Sequence, residues 1–380
     1  MFLDESAHHI TTDKGFRMAK ANVAVRSGKW YYECKITSGI PKRKRSDAHA
    51  PEEAPRGHVR MGWARREAPL DAPVGYDAYS YGLRDVDGQK LHMSRPKDFF
   101  PSGQSIREGD VIGLEINLPS ETLHRKIVEG QYNPAVDLAD DDNNGIEESG
   151  NIIRDRVPIR FKAHLYFEQI DYSPSKELED LNNPSPQVST TGIGVGTVDP
   201  GPTHPSPALR TLPFSSIKVY KNGELMGTPF TDLLAFLPPA SKPQPQVGAR
   251  DGLDDGMLGY YPAVSAFRGG AAEVNFGPKF WYPPPGYEEA NDVDMIGDAQ
   301  VASAPKAPKA RAIGERYDEQ IVEDIVYDII DEVDFWMQDG GITGKGAQNG
   351  VLRSGVTAQD AVASGALGPE GIKELVQDEE

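Results

Sequence analysis

Alternating apolar and polar residues dominate the chain up to about residue 287. Between Val59 and Trp63 every second side chain is apolar, so the two sets are expected on opposite faces of a strand. Comparable strand-forming runs lie at 30–37, 111–118, 157–161, 164–167, 216–227, 259–267 and 271–277. The pair Asn222-Gly223 predicts a tight hairpin turn. Short strands with turn signals and almost no helical periodicity predict a mainly β fold, an antiparallel β-sandwich.

One helical pattern follows near the end of the chain, over 315–339. Its apolar residues recur every three or four positions and form a stripe on one half of the cylinder, while most carboxylates fall on the other half. The stripe includes Val322, Ile325, Val326, Ile329 and Val333. Such a stripe predicts a partner-binding surface. Because a linker precedes the helix, it need not fold back on the sandwich.

Composition divides the chain into four parts. The β-sandwich is predicted over 1–287, with insertions near 40–57, 120–155 and 173–207. A linker rich in Pro, Ala and acidic residues spans 288–314, the helix spans 315–339, and a disordered acidic tail spans 340–380. The segment 173–207 is too rich in Pro, Ser and Gly to offset the entropy of ordering, so it is expected to be disordered.

Charge and cysteine content exclude several classes of protein. The 380 residues carry a formal net charge of −18, which argues against a nucleic-acid-binding protein as a whole. A single cysteine, Cys34, rules out a disulfide framework. The sequence has no membrane-length apolar run and no signal-peptide layout at its start, so we expect an intracellular protein with no membrane contact. The eight histidines are scattered, so neither a metal site, a cofactor nor a catalytic residue is expected.

A short basic cluster interrupts this acidic chain. It consists of Lys42, Arg43, Lys44 and Arg45, next to a segment rich in Ala, Pro and Glu. Three interpretations stay open: a nuclear-import signal, a contact with the phosphate backbone of DNA, or a solvated hairpin tip.

The stretch from Arg60 to Arg84 holds the candidate binding residues. Pro73 and Tyr76 lie between the two arginines, and a second strand is expected to run through Tyr76, Tyr79 and Tyr81. Rigid aromatic and proline surface beside guanidinium groups suits an acidic peptide, because arginine offers a planar fork to a carboxylate or phosphate. The alternative is that the aromatic rings are ordinary sheet core and the arginines are merely solvated.

Several short motifs are spread along the β domain: Arg60-Met-Gly-Trp63, Ala72-Pro-Val-Gly-Tyr-Asp77, Gly109-Asp-Val-Ile-Gly113, Tyr220-Lys-Asn-Gly223, Tyr261-Pro-Ala-Val-Ser265 and Val274-Asn-Phe-Gly-Pro278. Together they resemble an SPRY domain and, more narrowly, the Ash-two/Bre-two subunit of COMPASS-type histone methyltransferases. The predicted helix also resembles that family's binding helix for the small Dpy-thirty/Sdc-one subunit.

The resemblance implies a non-catalytic scaffold and activator in the nucleus. Its SPRY pocket would bind an acidic segment of a WD-repeat subunit of the Swd-one type, and its helix would bind a Dpy-thirty/Sdc-one dimer. The assembly would support a SET-domain enzyme that methylates lysine four of histone H3. An SPRY substrate receptor of a ubiquitin ligase is the alternative function.

The pocket residues that the resemblance implies are Phe16, Arg60, Pro73, Tyr76 and Arg84. Phe16 stands where the family has a tyrosine, so one hydroxyl group is missing while the aromatic wall is kept.

Overall fold

The computed structural model describes most of the β domain and one long helix. The described residues are 1–42, 54–101, 104–137, 157–161, 164–168, 172–183, 199–244, 254–287, 309–338 and 373–374. The basic residues Arg43, Lys44 and Arg45, most of the predicted linker and nearly all of the tail 340–380 lie outside them.

The described chain is built mainly from strands. They are β1 (Phe2–Leu3), β2 (His9–Thr11), β3 (Arg17–Lys20), β4 (Gly28–Ser38), β5 (His58–Arg65), β6 (Ser80–Arg84), β7 (Lys90–His92), β8 (Arg95–Lys97), β9 (Val111–Leu118), β10 (Val157–Phe161), β11 (His164–Glu168), β12 (Tyr172–Ser173), β13 (Thr211–Lys221), β14 (Glu224–Leu234), β15 (Lys242–Pro243), β16 (Tyr260–Phe267), β17 (Ala271–Asn275), β18 (Arg311–Ala312) and β19 (Lys373–Glu374). The helices are α1 (Glu121–Glu129), α2 (Lys176–Asn182) and α3 (Ile313–Gln338). No helix in the described ranges is long and apolar enough to cross a membrane.

Two large sheets, almost entirely antiparallel, pack around a common core. The first has the order β1-β2-β17-β4-β9-β13-β14, and the second has the order β3-β16-β5-β6-β7-β8. Alternation along β5 sends Val59, Met61 and Trp63 into the core, where each is completely buried. From the first sheet, Tyr32 meets the Trp63 ring edge-on at 5.2 Å. The predicted mainly β, antiparallel architecture is confirmed.

The predicted hairpin is also confirmed. Strands β13 and β14 pair with Lys221 opposite Glu224, and two residues connect them. These residues, Asn222 and Gly223, have φ angles of 50° and 86°. A two-residue turn with positive φ at both positions matches the right-handed twist of the strands that it joins, and Asn-Gly adopts it at low cost.

Two expected insertions contain ordered helices. Within 120–155, the Ser120 hydroxyl accepts a hydrogen bond from Leu123 N and caps α1, whose Leu123 and Ile127 side chains are buried in the core. Within 173–207, expected to be disordered, α2 buries Leu178 in a second apolar cluster with Tyr79. A few apolar side chains that reach the sandwich therefore order the described parts of these two segments, although the average composition of each segment is polar.

The long helix begins on the sandwich rather than beyond a free linker. It starts at Ile313, two residues before the predicted boundary, and Ile313 is 1% exposed. Gly314 N donates to Phe276 O at 2.8 Å, and the buried Arg316 donates through Nε to Ala24 O at 3.3 Å. Just before the helix, β18 pairs in parallel with β4. The first turns of the helix are therefore fastened to the sandwich, which the sequence pattern did not require.

Candidate functional site

Arg60 and Arg84 face each other across two neighbouring strands. The register of β5 and β6 pairs the two residues directly. On the other side of Arg60, the register places Ser265 of β16. Because the neighbouring residues Val59 and Met61 point into the core, Arg60 lies on the outer face of the second sheet, and Arg84 shares that face. Both arginines are half-buried.

An aromatic pair lines one side of Arg60. The Cζ atom of Arg60 lies 4.7 Å from the centroid of the Phe16 ring. Phe16 in turn stacks on Phe267, with ring centroids 4.5 Å apart and planes 19° apart. The Phe16 ring therefore forms a wall beside the guanidinium, although it offers no hydroxyl group to a ligand.

Tyr76 lies in a loop, not in the strand that the sequence predicted. Strand β6 begins only at Ser80, so Tyr79 also precedes it. Gly75 N donates to Ser80 Oγ at 2.8 Å, and Tyr79 N donates to Asp77 Oδ1 at 2.9 Å. These local hydrogen bonds compete with a sheet ladder, and they fold the segment into turns.

The same loop is fastened to the outer face that carries Arg60. Val74 N donates to Ser265 Oγ at 3.1 Å, and Ser265 is the cross-strand neighbour of Arg60. Pro73 precedes this anchor and is half-buried, whereas Tyr76 keeps 48% of its surface exposed. The loop therefore brings Pro73 and Tyr76 to the face that holds the arginines and leaves the Tyr76 ring open to a ligand.

The electrostatics of this face favour an anion. Within the described ranges, neither Arg60 nor Arg84 forms an ion pair with a carboxylate. Burial and the facing Arg84 guanidinium together lower the pKa of Arg60. The adjacent acid, Asp85, is already engaged, since its Oδ2 lies 3.0 Å from His58 Nδ1 and accepts from Val59 N at 3.3 Å. A negative ligand would relieve the repulsion between the two arginines.

The pair of His58 and Asp85 predicts a pH dependence of stability. The hydrogen bond to Asp85 raises the pKa of His58 above its ordinary value of 6.5. The pair therefore stabilises the folded chain fully below that ordinary value, and the contribution is lost as the pH rises through the raised pKa. His58→Gln is expected to lower the free energy of unfolding more at about pH 5 than at about pH 9. Urea unfolding at both pH values measures this difference, and equal losses would contradict it.

Sequence reasoning missed three residues of this face. His58 could have been found, because it lies two residues before Arg60 and the period of a strand puts both on one side. Asp85 follows Arg84 directly, but nothing in its spacing distinguishes it from other turn carboxylates. Phe267 joins the site only through the register of β16 against β5, which places it opposite His58.

A second candidate surface is the apolar stripe of α3. All five predicted stripe residues are exposed in the chain alone: Val322 by 62%, Ile325 by 54%, Val326 by 49%, Ile329 by 57% and Val333 by 51%. They lie on the part of the helix beyond its anchored first turns. Neither the sandwich nor the described remainder of the chain covers them.

The remaining predicted sites are less informative. Lys42 is exposed, whereas the other three residues of the basic cluster lie outside the described residues. The described ranges contain no group of three or more His, Cys, Asp and Glu side chains that could hold a metal ion. The absence of catalytic residues stays a prediction.

Comparisons with known proteins give a consistent result. The chain is 61% identical to COMPASS component cclA of Colletotrichum higginsianum over 389 residues, covering 100% of this chain and 66% of that protein. It is 42% identical to Set1 complex component ash2 of Schizosaccharomyces pombe, covering 88% of this chain and 40% of that protein. It is 25% identical to COMPASS component BRE2 of Saccharomyces cerevisiae, covering 84% of this chain and 76% of that protein.

Two further comparisons concern protein-family models and solved structures. No protein-family model matches the chain. A crystal structure of a human SPRY domain is similar with a TM-score of 0.33 and 12% identity, covering 73% of this chain and 96% of that chain. The chain spans less than two thirds of the length of the Colletotrichum and Schizosaccharomyces relatives. The identities to named COMPASS and Set1 complex components show that the chain belongs to the Ash2/Bre2 (Ash-two/Bre-two) family.

Proposed function

We propose that this chain is a non-catalytic scaffold and activator subunit of a COMPASS-type complex that methylates lysine four of histone H3. It binds an acidic segment of a WD-repeat subunit of the Swd-one type through the outer face with Arg60 and Arg84. It binds a dimer of the Dpy-thirty/Sdc-one subunit through the stripe of α3. The assembled partners support the SET-domain methyltransferase.

One observation carries this proposal. Two surfaces of different chemistry, a paired-arginine face and an exposed apolar helical stripe, lie on one chain without a partner among the described residues. The first suits carboxylates or phosphates, which arginine binds through its planar fork. The second suits a groove between helices, which an amphipathic helix enters with its apolar side. A scaffold needs two such separate surfaces.

The anchored start of α3 also supports the proposal of a scaffold. Because Ile313 and Arg316 fix the first turns to the sandwich, the helix leaves the domain in a defined direction. Partners on the arginine face and on the stripe would then be held in a fixed relation to one another. If the link between the two surfaces were flexible, the chain would still bind both partners but would not fix their positions relative to one another.

Affinity purification of the chain from its own cells, followed by mass spectrometry, tests this function. We expect methyltransferase subunits, including a WD-repeat protein and a small dimeric subunit. Recovery of ubiquitin-ligase subunits in their place would support the substrate-receptor alternative and contradict the proposal.

The basic cluster gives a separate prediction. If Lys42, Arg43, Lys44 and Arg45 contact the phosphate backbone, replacing all four with glutamine should lower nucleosome affinity and reduce its salt dependence, because fewer counterions are released. Binding of the WD-repeat partner should not change. Identical salt slopes for the two proteins would leave nuclear import or a solvated loop as the role of the cluster.

We also propose the division of the chain and its location. Residues 1–287 form the SPRY domain, α3 is the partner helix with its start moved to Ile313, and 340–380 is a tail. The expected location is the nucleus, where the histone substrate lies. Imaging of the tagged chain tests this location, and exclusion from the nucleus would contradict it.

A further inference from the structure

Beyond Phe16, the outer face continues to a third arginine. The Cζ atom of Arg268 lies 5.1 Å from the centroid of the Phe267 ring. Phe267 stacks on Phe16, and Phe16 contacts Arg60, so cations and rings form one continuous row. The His58 ring also lies nearly parallel to Phe267, with centroids 6.5 Å apart. The two phenylalanine rings lie between the two guanidinium groups, so the row has a positive group at each end.

The backbone at Arg268 is held firmly in the turn between β16 and β17. Arg268 has a φ angle of 48°, and its N–H donates to Lys14 O at 3.2 Å. The next residue, Gly269, donates to Thr12 O at 2.6 Å. A Cβ atom at Gly57 would lie only 2.0 Å from Gly270 N, so the turn packs directly on its neighbour. The position of Arg268 is therefore built into the fold before any ligand arrives.

The charge of Arg268 is available to a ligand. Within the described ranges Arg268 forms no ion pair, and the residue is exposed. Arg17 lies beside the row and donates to Phe16 O at 2.9 Å. The chain as a whole carries a net charge of −18, so this row is a local exception to its acidic character. Local positive charge attracts acidic ligands and increases their rate of association.

We propose that Arg268 and Phe267 form a second anion subsite, so that this face takes an acidic segment with two negatively charged side chains. One side chain binds between Arg60 and Arg84, and the other binds Arg268. The contacts of 4.7, 4.5 and 5.1 Å along the row place Arg60 and Arg268 no farther apart than about four residues of an extended peptide. In an extended segment, side chains four residues apart lie on the same side. This inference rests on the proposed binding of an acidic segment and names the charge pattern that the segment must carry.

The test uses the full chain and three synthetic Gly/Ser-rich peptides. One carries two glutamates four residues apart, and the other two each retain a single glutamate and have glutamine at the other position. Calorimetry at low ionic strength gives each dissociation constant. Arg268→Gln should weaken binding of the doubly acidic peptide about threefold to fivefold. The same substitution should weaken binding of at least one singly acidic peptide by less than about twofold. Lys279→Gln removes one exposed charge elsewhere and should change none of the three dissociation constants.

The outcomes separate this inference from the proposed function. If Arg60→Gln weakens all three peptides while Arg268→Gln weakens none, the second subsite is wrong and the arginine face stands. If Arg268→Gln and Lys279→Gln weaken the doubly acidic peptide equally, only overall charge matters and the subsite is again overturned. If the wild-type chain binds none of the peptides, both the face and the subsite are wrong.

Discussion

Ile329→Asp is expected to abolish binding of the small dimeric subunit and to leave the sandwich folded. Ile329 is 57% exposed, so the free chain loses almost no packing. In the complex, the new carboxylate would enter an apolar groove without a partner, at a cost of at least about 3 kcal/mol. That cost is more than about a hundredfold in affinity. Calorimetry with the purified small subunit measures the loss.

The same chemical change at the other end of α3 provides a matched control. Ile313 is 1% exposed against the sandwich, so Ile313→Asp should lower the melting temperature, whereas Ile329→Asp should not. Ile329→Leu keeps the apolar contact and should retain binding. If Ile329→Asp unfolds the domain while the small subunit stays bound, the stripe belongs to the core and its assignment as a binding surface is wrong.

Arg60→Ala is expected to weaken binding of the WD-repeat partner at least roughly tenfold. Removing one side of a desolvated charge pair costs about 2–5 kcal/mol, because the partner's acidic group is left buried without its cation. Arg84→Ala should give a smaller loss, since Arg84 already donates through Nε to Val86 O at 3.3 Å. Calorimetry with the purified WD-repeat subunit measures both losses, and Lys279→Ala serves as the control for charge alone.

The stability of the free chain should hardly change in Arg60→Ala. The facing Arg84 makes Arg60 unfavourable by about 0.2–1 kcal/mol, as like charges directly opposite each other in a sheet are. The contact with the Phe16 ring stabilises Arg60 by about 0.5–1 kcal/mol. These two effects nearly cancel, so the free energy of unfolding should stay within about 1 kcal/mol of the wild type. Unchanged affinity in a folded variant would remove Arg60 from the site.

The strands could be predicted because their evidence is local. Val59, Met61 and Trp63 show the two-residue period of a strand within five residues. The pair Asn222-Gly223 favours a tight hairpin turn by itself. The facing of Arg60 and Arg84 could not be predicted in this way. It depends on the register of β5 against β6, and a shift of one residue would send one side chain to the opposite face.

The errors also have a physical cause. Tyr76 and Tyr79 are strong strand formers, but Asp77 and Ser80 give the backbone local hydrogen-bond partners that stop the ladder. At the start of α3, the sequence shows a polar linker, and the few side chains that fasten it, Ile313 and Arg316, are recognisable only with the sandwich in place. Local side-chain hydrogen bonds therefore decided the first case, and long-range contacts with the sandwich decided the second.

Reconstitution with both partners tests the two-surface proposal most directly. The chain, the WD-repeat subunit and the small dimeric subunit are mixed, and the masses of the assemblies are measured for the wild type, Arg60→Ala and Ile329→Asp. At concentrations near the wild-type dissociation constants, the wild type should carry both partners, Arg60→Ala should keep the small subunit and lose most of the WD-repeat subunit, and Ile329→Asp should keep only the WD-repeat subunit. Loss of both partners from a single folded variant, or of neither from both variants, would contradict the proposal that one chain holds them on separate surfaces.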